Sequence, residues 1–171
     1  MTKHTFHNIR PGDIGFDGGI GISGWLIRVG TGSSYGHCFV YHRDLGNGLW
    51  ETAETGPTGH RFRKRSVGPN KVVRLWRDAQ EQDALLRASE KLVGCEYGWG
   101  EIARIVARLL GVKLRRFRDN PRRVICSNHV TQVILVVRPE LVHYLRFPTN
   151  EIWPGELAIT FDAMHWDQEV A

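Results

Sequence analysis

The stretch PRRVICSNHVTQVILVV, Pro121 to Val137, sets a cysteine between an apolar run and the first turn of a helix. Val130, Val133, Ile134 and Val137 recur at helical spacing, which predicts a helix from near Ser127 to Arg138–Pro139, where the proline ends it. Cys126 then sits at the helix N-terminus. Free amide N–H groups and the positive end of the helix dipole favour a thiolate there. Arg115, Arg116, Arg118, Arg122 and Arg123 lie just upstream and would add to that field if folded nearby. The opposing reading is an inert buried thiol, since free cysteine is among the most buried residue types. Catalysis requires a base from elsewhere in the chain.

The 171 residues suit one domain, 1–171, able to bury a core without staples. Apolar content of 42% and charged content of 24% are those of an ordinary globular protein. No run of about 18 apolar residues predicts a membrane span. The start, MTKHTFHNIRPGDIGF, has no apolar core of a secretory signal, so a cytoplasmic setting is expected. Three cysteines, an odd number, argue for reduced thiols over a disulfide framework. No Cys-x-x-Cys or His-x-x-x-His spacing supports zinc, and neither metal nor cofactor is expected. A formal charge of +5 suits an anionic substrate, lipid headgroups or nucleic acid without choosing among them.

The first half reads as short strands between glycine-rich turns. GDIGF (Gly12–Phe16), GHCFVYH (Gly36–His42), GLWETAE and KVVRLW (Lys71–Trp76) are the candidates, the second and third forming a hairpin across GNG. Helices are predicted from Gln80 to Val93 and from Glu101 to Leu110, each closed by a glycine. A last strand, ELAIT, follows FPTNEIWPG. Strands grouped around helices predict an α+β fold, with five to six antiparallel strands against three helices.

A thiolate nucleophile needs an imidazole partner held by a third group. Of eight histidines, His4 and His7 lie in the N-terminal segment, His60 in a basic loop, His143 after Pro139 and His165 near the C-terminus. His129 shares a helical turn with Cys126 but would crowd the thiol. His42 lies near the hairpin turn, where solvent is expected. His37 opens the strongest strand, where a sheet can hold a ring against a helix, although a hydrogen-bonded core histidine is the commoner role. Glu51, on the partner strand, is the candidate for orienting the ring, with Glu54 as its spare on the face expected to be shared. Cys38 and Cys95 have no helix start behind them and are read as structural.

The order PGDIGF, SSYGHCFVYH, WETAE, VICSNHV resembles the circularly permuted branch of the NlpC-type papain-like fold, which includes YiiX-like proteins and relatives of lecithin:retinol acyltransferase. There the histidine strand precedes the cysteine helix, reversing the usual papain-like order. The segments EYGWGEIARI and FPTNEIWPGELAIT resemble the family's tyrosine-containing segment and closing strand, so the likeness runs from about residue 11 to 160. It implies Cys126 as nucleophile, His37 as base and Glu51 as orienting residue, in a thiol hydrolase of amide bonds, peptide or isopeptide-like. The Cys126 amide is the first candidate oxyanion donor, with Tyr35 and Tyr97 as candidates for a second. An acyltransferase or esterase acting on lipids stays open, as does a basic module binding nucleic acid or an anionic surface through HRFRKRSVGPNKVVRLWR. Cys38, where the family has a small apolar residue, and the basic insert from Gly111 to Arg123 depart from the pattern.

Overall fold

The computed structural model describes residues 8–19, 21–66, 68, 71–109, 111–112, 122–146, 149–164 and 168–169. Its centre is an antiparallel sheet of β1 (Ile14–Asp17), β2 (His37–Asp44), β3 (Leu49–Gly56), β4 (Gly59–Ser66) and β5 (Lys71–Arg74). The spatial order is β4-β3-β2-β1-β5, and the two-residue β8 (Gln168–Glu169) lies beyond β5. Among the described residues, five α-helices accompany it: α1 (Gly21–Thr31), α2 (Ala79–Lys91), α3 (Trp99–Leu109), α4 (Cys126–Ile134) and α5 (Pro154–Ala163). The class is α+β, as expected, with five helices where three were expected. None among the described residues is long and apolar enough to cross a membrane.

Side-chain alternation divides the sheet. Ile14, Phe16, Cys38, Val40, Ala53 and Val73 face the main core, where Val130, Val133 and Ile134 of α4 and Leu157 and Phe161 of α5 meet them. Phe39, Tyr41, Trp50 and Val72 form a second cluster from the alternate positions. The hairpin of β2 and β3 forms as predicted, with Val40 opposite Ala53 and a register shift between Tyr41 and Arg43.

Helix α4 is buried almost all round, so its polar residues must be satisfied internally. Ser127 Oγ donates to Ile152 O at 2.6 Å, Thr131 Oγ1 to Ser127 O at 2.7 Å and Asn128 Nδ2 to Thr149 O at 3.1 Å. A short parallel pair, β6 (Glu96–Tyr97) with β7 (Arg123–Val124), fixes the chain entering this helix. Gly98 N donates to Val124 O at 3.0 Å, two residues before the thiol.

Three expectations are corrected. ELAIT is part of helix α5: Pro154 stands in its first turn, where proline's fixed φ suits a helix, and Leu157, Ala158 and Phe161 turn inward together. HRFRKRS is strand β4, paired with β3 from Leu49↔Ser66 to Gly56↔Gly59. It is an edge strand, where charged side chains replace the apolar alternation that signals a strand. Helix α1 forms despite Gly21, Gly24 and Gly30 because Ile27 is buried with Tyr97, Ile102, Ile105 and Ile125. Gly24 is required there: a Cβ would lie 2.9 Å from the Gly19 Cα. Arg115, Arg116, Arg118 and most of the basic insert, along with His4, His7 and His165, lie outside the described residues.

His60, expected in a loop, is buried in β4 against His129 of α4, with ring centroids 4.0 Å apart. Thr55 Oγ1 lies 2.9 Å from His60 Nδ1, and Ser89 Oγ lies 3.1 Å from His129 Nε2. Burial lowers the His60 pKa to about 4 and, with repulsion from His60 and His37, pushes His129 well below its usual value. The unfolded chain therefore takes up protons first, and stability is lost as pH falls below about 6.5. His60 alone accounts for about 2 kcal/mol between pH 7 and pH 5. Urea unfolding of a His60→Gln variant should show a correspondingly shallower loss over that range; an unchanged slope would contradict the assignment.

Candidate functional site

Cys126 is the first residue of α4. Its N-cap, Ile125, makes no side-chain cap hydrogen bond, so the first-turn amides have no side-chain acceptor there. His37 and Cys38 open β2, and both interact with the Cys126 sulfur. The backbone before them is tightly placed, since a Cβ on Gly36 would lie 2.4 Å from Gly18 O and 2.6 Å from Gly24 O. Only glycine lets the segment before α1 pass beneath the start of β2.

The carboxylate on His37 is that of Glu54, with Oε2 2.9 Å from Nε2. Thr52 Oγ1 donates to Glu54 Oε1 at 2.7 Å, and Arg65 Nη2 donates to Oε2 at 3.1 Å. Arg65 also pairs with Asp17 and stacks its guanidinium 4.2 Å above the Phe39 ring. Four strands thereby contribute to one hydrogen-bonded group, and Nδ1 is the ring nitrogen left for the sulfur.

Glu51, the expected orienting residue, is elsewhere. It pairs with Arg43 at 3.0 Å and lies 3.7 Å from His42 Nδ1. Two geometric facts separate it from His37. In an antiparallel hairpin, residues near the turn face one another, so Glu51 opposes Arg43 while the start of β2 faces the far end of β3. Glu51 and Glu54 are also an odd number of residues apart, which puts them on opposite faces of the strand. Counting outward from Gly46-Asn47-Gly48 favours Glu54, a signal already present in the hairpin's symmetry.

Among the described residues, the other histidines have these surroundings. His42 Nε2 lies 3.0 Å from Glu90 Oε1, so it is half-buried on a carboxylate. His129 faces Ser89 and His60, and His143 lies in the 3-10 turn Pro139–His143. Tyr35 packs edge-on to Phe16, whereas Tyr97 lines the pocket at Cys126. Cys95 is partly exposed. Among the described residues, no group of three His, Cys, Asp or Glu side chains could hold a metal ion.

The electrostatics favour charge separation. Hydrogen bonding from Cys38, with the charge and hydrogen bond of His37, holds the Cys126 thiol well below its usual value against burial. Burial opposes protonation of His37, but Cys126 and Glu54 outweigh it and raise the pKa to about 10. Burial likewise opposes ionisation of Glu54, yet His37 and Arg65 hold its carboxyl well below the carboxylate range. Cys38 is pushed far up, by burial first and then by the adjacent sulfur, so it remains a donor thiol. These directions favour a thiolate–imidazolium pair, with His37 anchored on the Glu54 carboxylate. Cys126 is 2% exposed, and it lines a pocket of about 460 Å³ that His37 and Glu54 also line. An ionised sulfur facing such a pocket can attack an electrophilic carbon within it.

Absorbance at 240 nm should detect one thiolate at pH 6, lost in Cys126→Ala. Glu54→Gln should diminish it and Glu51→Gln should leave it intact. Equal effects of the two glutamine substitutions would remove Glu54 from the site. No protein-family model and no curated protein matches the sequence.

Proposed function

We propose that the chain is a thiol hydrolase of amide bonds, peptide or isopeptide-like, working through Cys126, His37 and Glu54. The observation that carries this reading is the joining of Cys126, His37 and a clamped carboxylate from three separate parts of the chain. Buried charges of this kind are costly as mere structure, and their concentration at a pocket favours a chemical role.

In the reaction the Cys126 sulfur forms a bond to the carbonyl carbon, and the carbonyl π electrons move onto oxygen. The Cys126 amide at the start of α4 is a candidate donor to that oxyanion, and Tyr97, which lines the pocket, is a candidate for the second. Collapse breaks the carbon–nitrogen bond, with the His37 proton passing to the departing amine. Water then attacks the thioester, giving its proton to His37, and the acid leaves as the thiolate–imidazolium pair is restored. Glu54 stays ionised and holds the ring by Nε2.

The element order and the strand-borne histidine ahead of the cysteine helix fit the permuted NlpC-type arrangement that the sequence resembles. Helix α5, in place of a closing strand, departs from it.

An activated ester tests the chemistry without the natural substrate. p-Nitrophenyl acetate should give a burst of p-nitrophenolate and an acetyl adduct mapped by peptide mass to Cys126. Cys126→Ala should remove both, and His37→Ala should slow the burst by about 10² or more. An adduct confined to lysines, or a burst unaltered by either substitution, would overturn the proposal.

A further inference from the structure

The pocket carries a positive charge that the reaction does not use. β4 places Arg61, Arg63 and Arg65 at alternate positions, and the pairing of Thr52 with Arg63 and of Glu54 with Arg61 puts them on the face that bears Glu54. Their fates differ. Arg65 is committed to Glu54 and Asp17, and Arg61 donates to Thr58 O in the β3–β4 turn. Arg63 lines the pocket, and its Nη2 donates to the neutral Thr58 Oγ1 at 2.8 Å. It has no carboxylate partner among the described residues. Its neighbour Lys64, opposite Glu51 in the ladder, also lines the pocket.

Among the described residues lining the pocket, Arg63 and Lys64 are the cations left over, and Arg63 is the one whose planar guanidinium faces the Glu54 side of the strand. His37 offsets Cys126, and Arg65 is shared between Asp17 and Glu54, the one acidic side chain among the described residues lining the pocket. Nη2 of Arg63 lies 3.4 Å from where a Cβ on Gly56 would be, and Gly56 also lines the pocket. Gly19, Gly24, Gly36 and Gly56 line the pocket, the first three packed backbone against backbone and Gly56 facing Arg63. A guanidinium, fork-shaped and tethered through one nitrogen, has donors left for a planar anion.

We propose that Arg63 is an anion subsite in the pocket that Cys126 also lines, so that the acyl group passed to the sulfur carries a carboxylate. The substrate class is then an acidic, peptide-like acyl compound. This deepens the function proposed above and rests on it, because the subsite matters only if Cys126 is the nucleophile. Arg63 is a specificity-determining residue and takes no part in the bond changes.

Two alkylating agents that differ only in charge provide the test. Iodoacetate and iodoacetamide both form a carbon–sulfur bond at Cys126 with loss of iodide, but only iodoacetate brings a carboxylate. Rates at Cys126 and Cys95 would be followed by peptide mass spectrometry at pH 6. The ratio of iodoacetate to iodoacetamide rates at Cys126 should fall roughly fivefold in Arg63→Gln, the scale of one partly solvated charge several Å away. Arg63→Lys should recover much of the ratio, which separates loss of charge from a folding defect. Fast labelling of Cys126 with the same ratio in the parent chain and in Arg63→Gln overturns the subsite and leaves the proposed nucleophile standing. Labelling of Cys126 no faster than Cys95 by either reagent overturns both.

Discussion

The hydrogen bond from His37 to Glu54 is the constraint around which this end of the molecule is arranged. A buried imidazolium without a counter-charge would release its proton, and a thiolate beside a neutral ring would recapture one. Glu54 prevents both, but only because Thr52 and Arg65 hold its oxygens in place. Arg65 in turn needs Asp17 and the face of Phe39. The chain of dependence runs across β1, β2, β3 and β4, so the sheet acts as the scaffold for one charge pair. Cys126 reaches that pair from the opposite layer, on a helix whose entry is fixed by the pairing of β6 with β7.

This explains why an edge strand as polar as β4 is ordered. GHRFRKRS buries little apolar surface of its own, with Phe62 packed against the core from its middle. It is held by a continuous ladder to β3, by the Arg65 ion pairs and by His60, which enters the interior beside α4. Its exposed cations discourage another strand from pairing on the open side. The same strand thus contributes a clamp, a buried histidine and a pocket arginine with no carboxylate partner among the described residues.

Cys126 and His37 were legible in the sequence because each lies at the start of a well-marked element: a helix with valines at helical spacing, and a strand rich in aromatic and β-branched residues. Glu51 was misleading because adjacency to the right strand says nothing about depth along it; hairpin register and the alternation of strand faces separate Glu51 from Glu54. Helix α1 was hidden by three glycines, one of them demanded by a close backbone approach to Gly19. β4 was hidden by its charge, and with it the arginine that clamps the carboxylate. ELAIT carries enough β-branched character to read as a strand, whereas packing of Leu157 and Phe161 against Phe16 and its neighbours selects the helix. In each case a long-range contact outweighed a local preference.

The two buried histidine environments pull stability in opposite directions. His37 is raised to about 10, so the stability it confers is fully present below pH 6.5 and is lost as pH climbs through 10. Glu54 is lowered, so its contribution is present above pH 4.5 and is lost only as pH falls through its depressed folded value. Between those limits the site keeps its charges. His60 and His129 are neutral in the fold and begin to cost stability below pH 6.5. On the acid side the core between α4 and β4 therefore weakens while Glu54 and His37 are still paired. His129 and Cys126 belong to the same helix, α4, so the part of the core that loses stability first also carries the thiol.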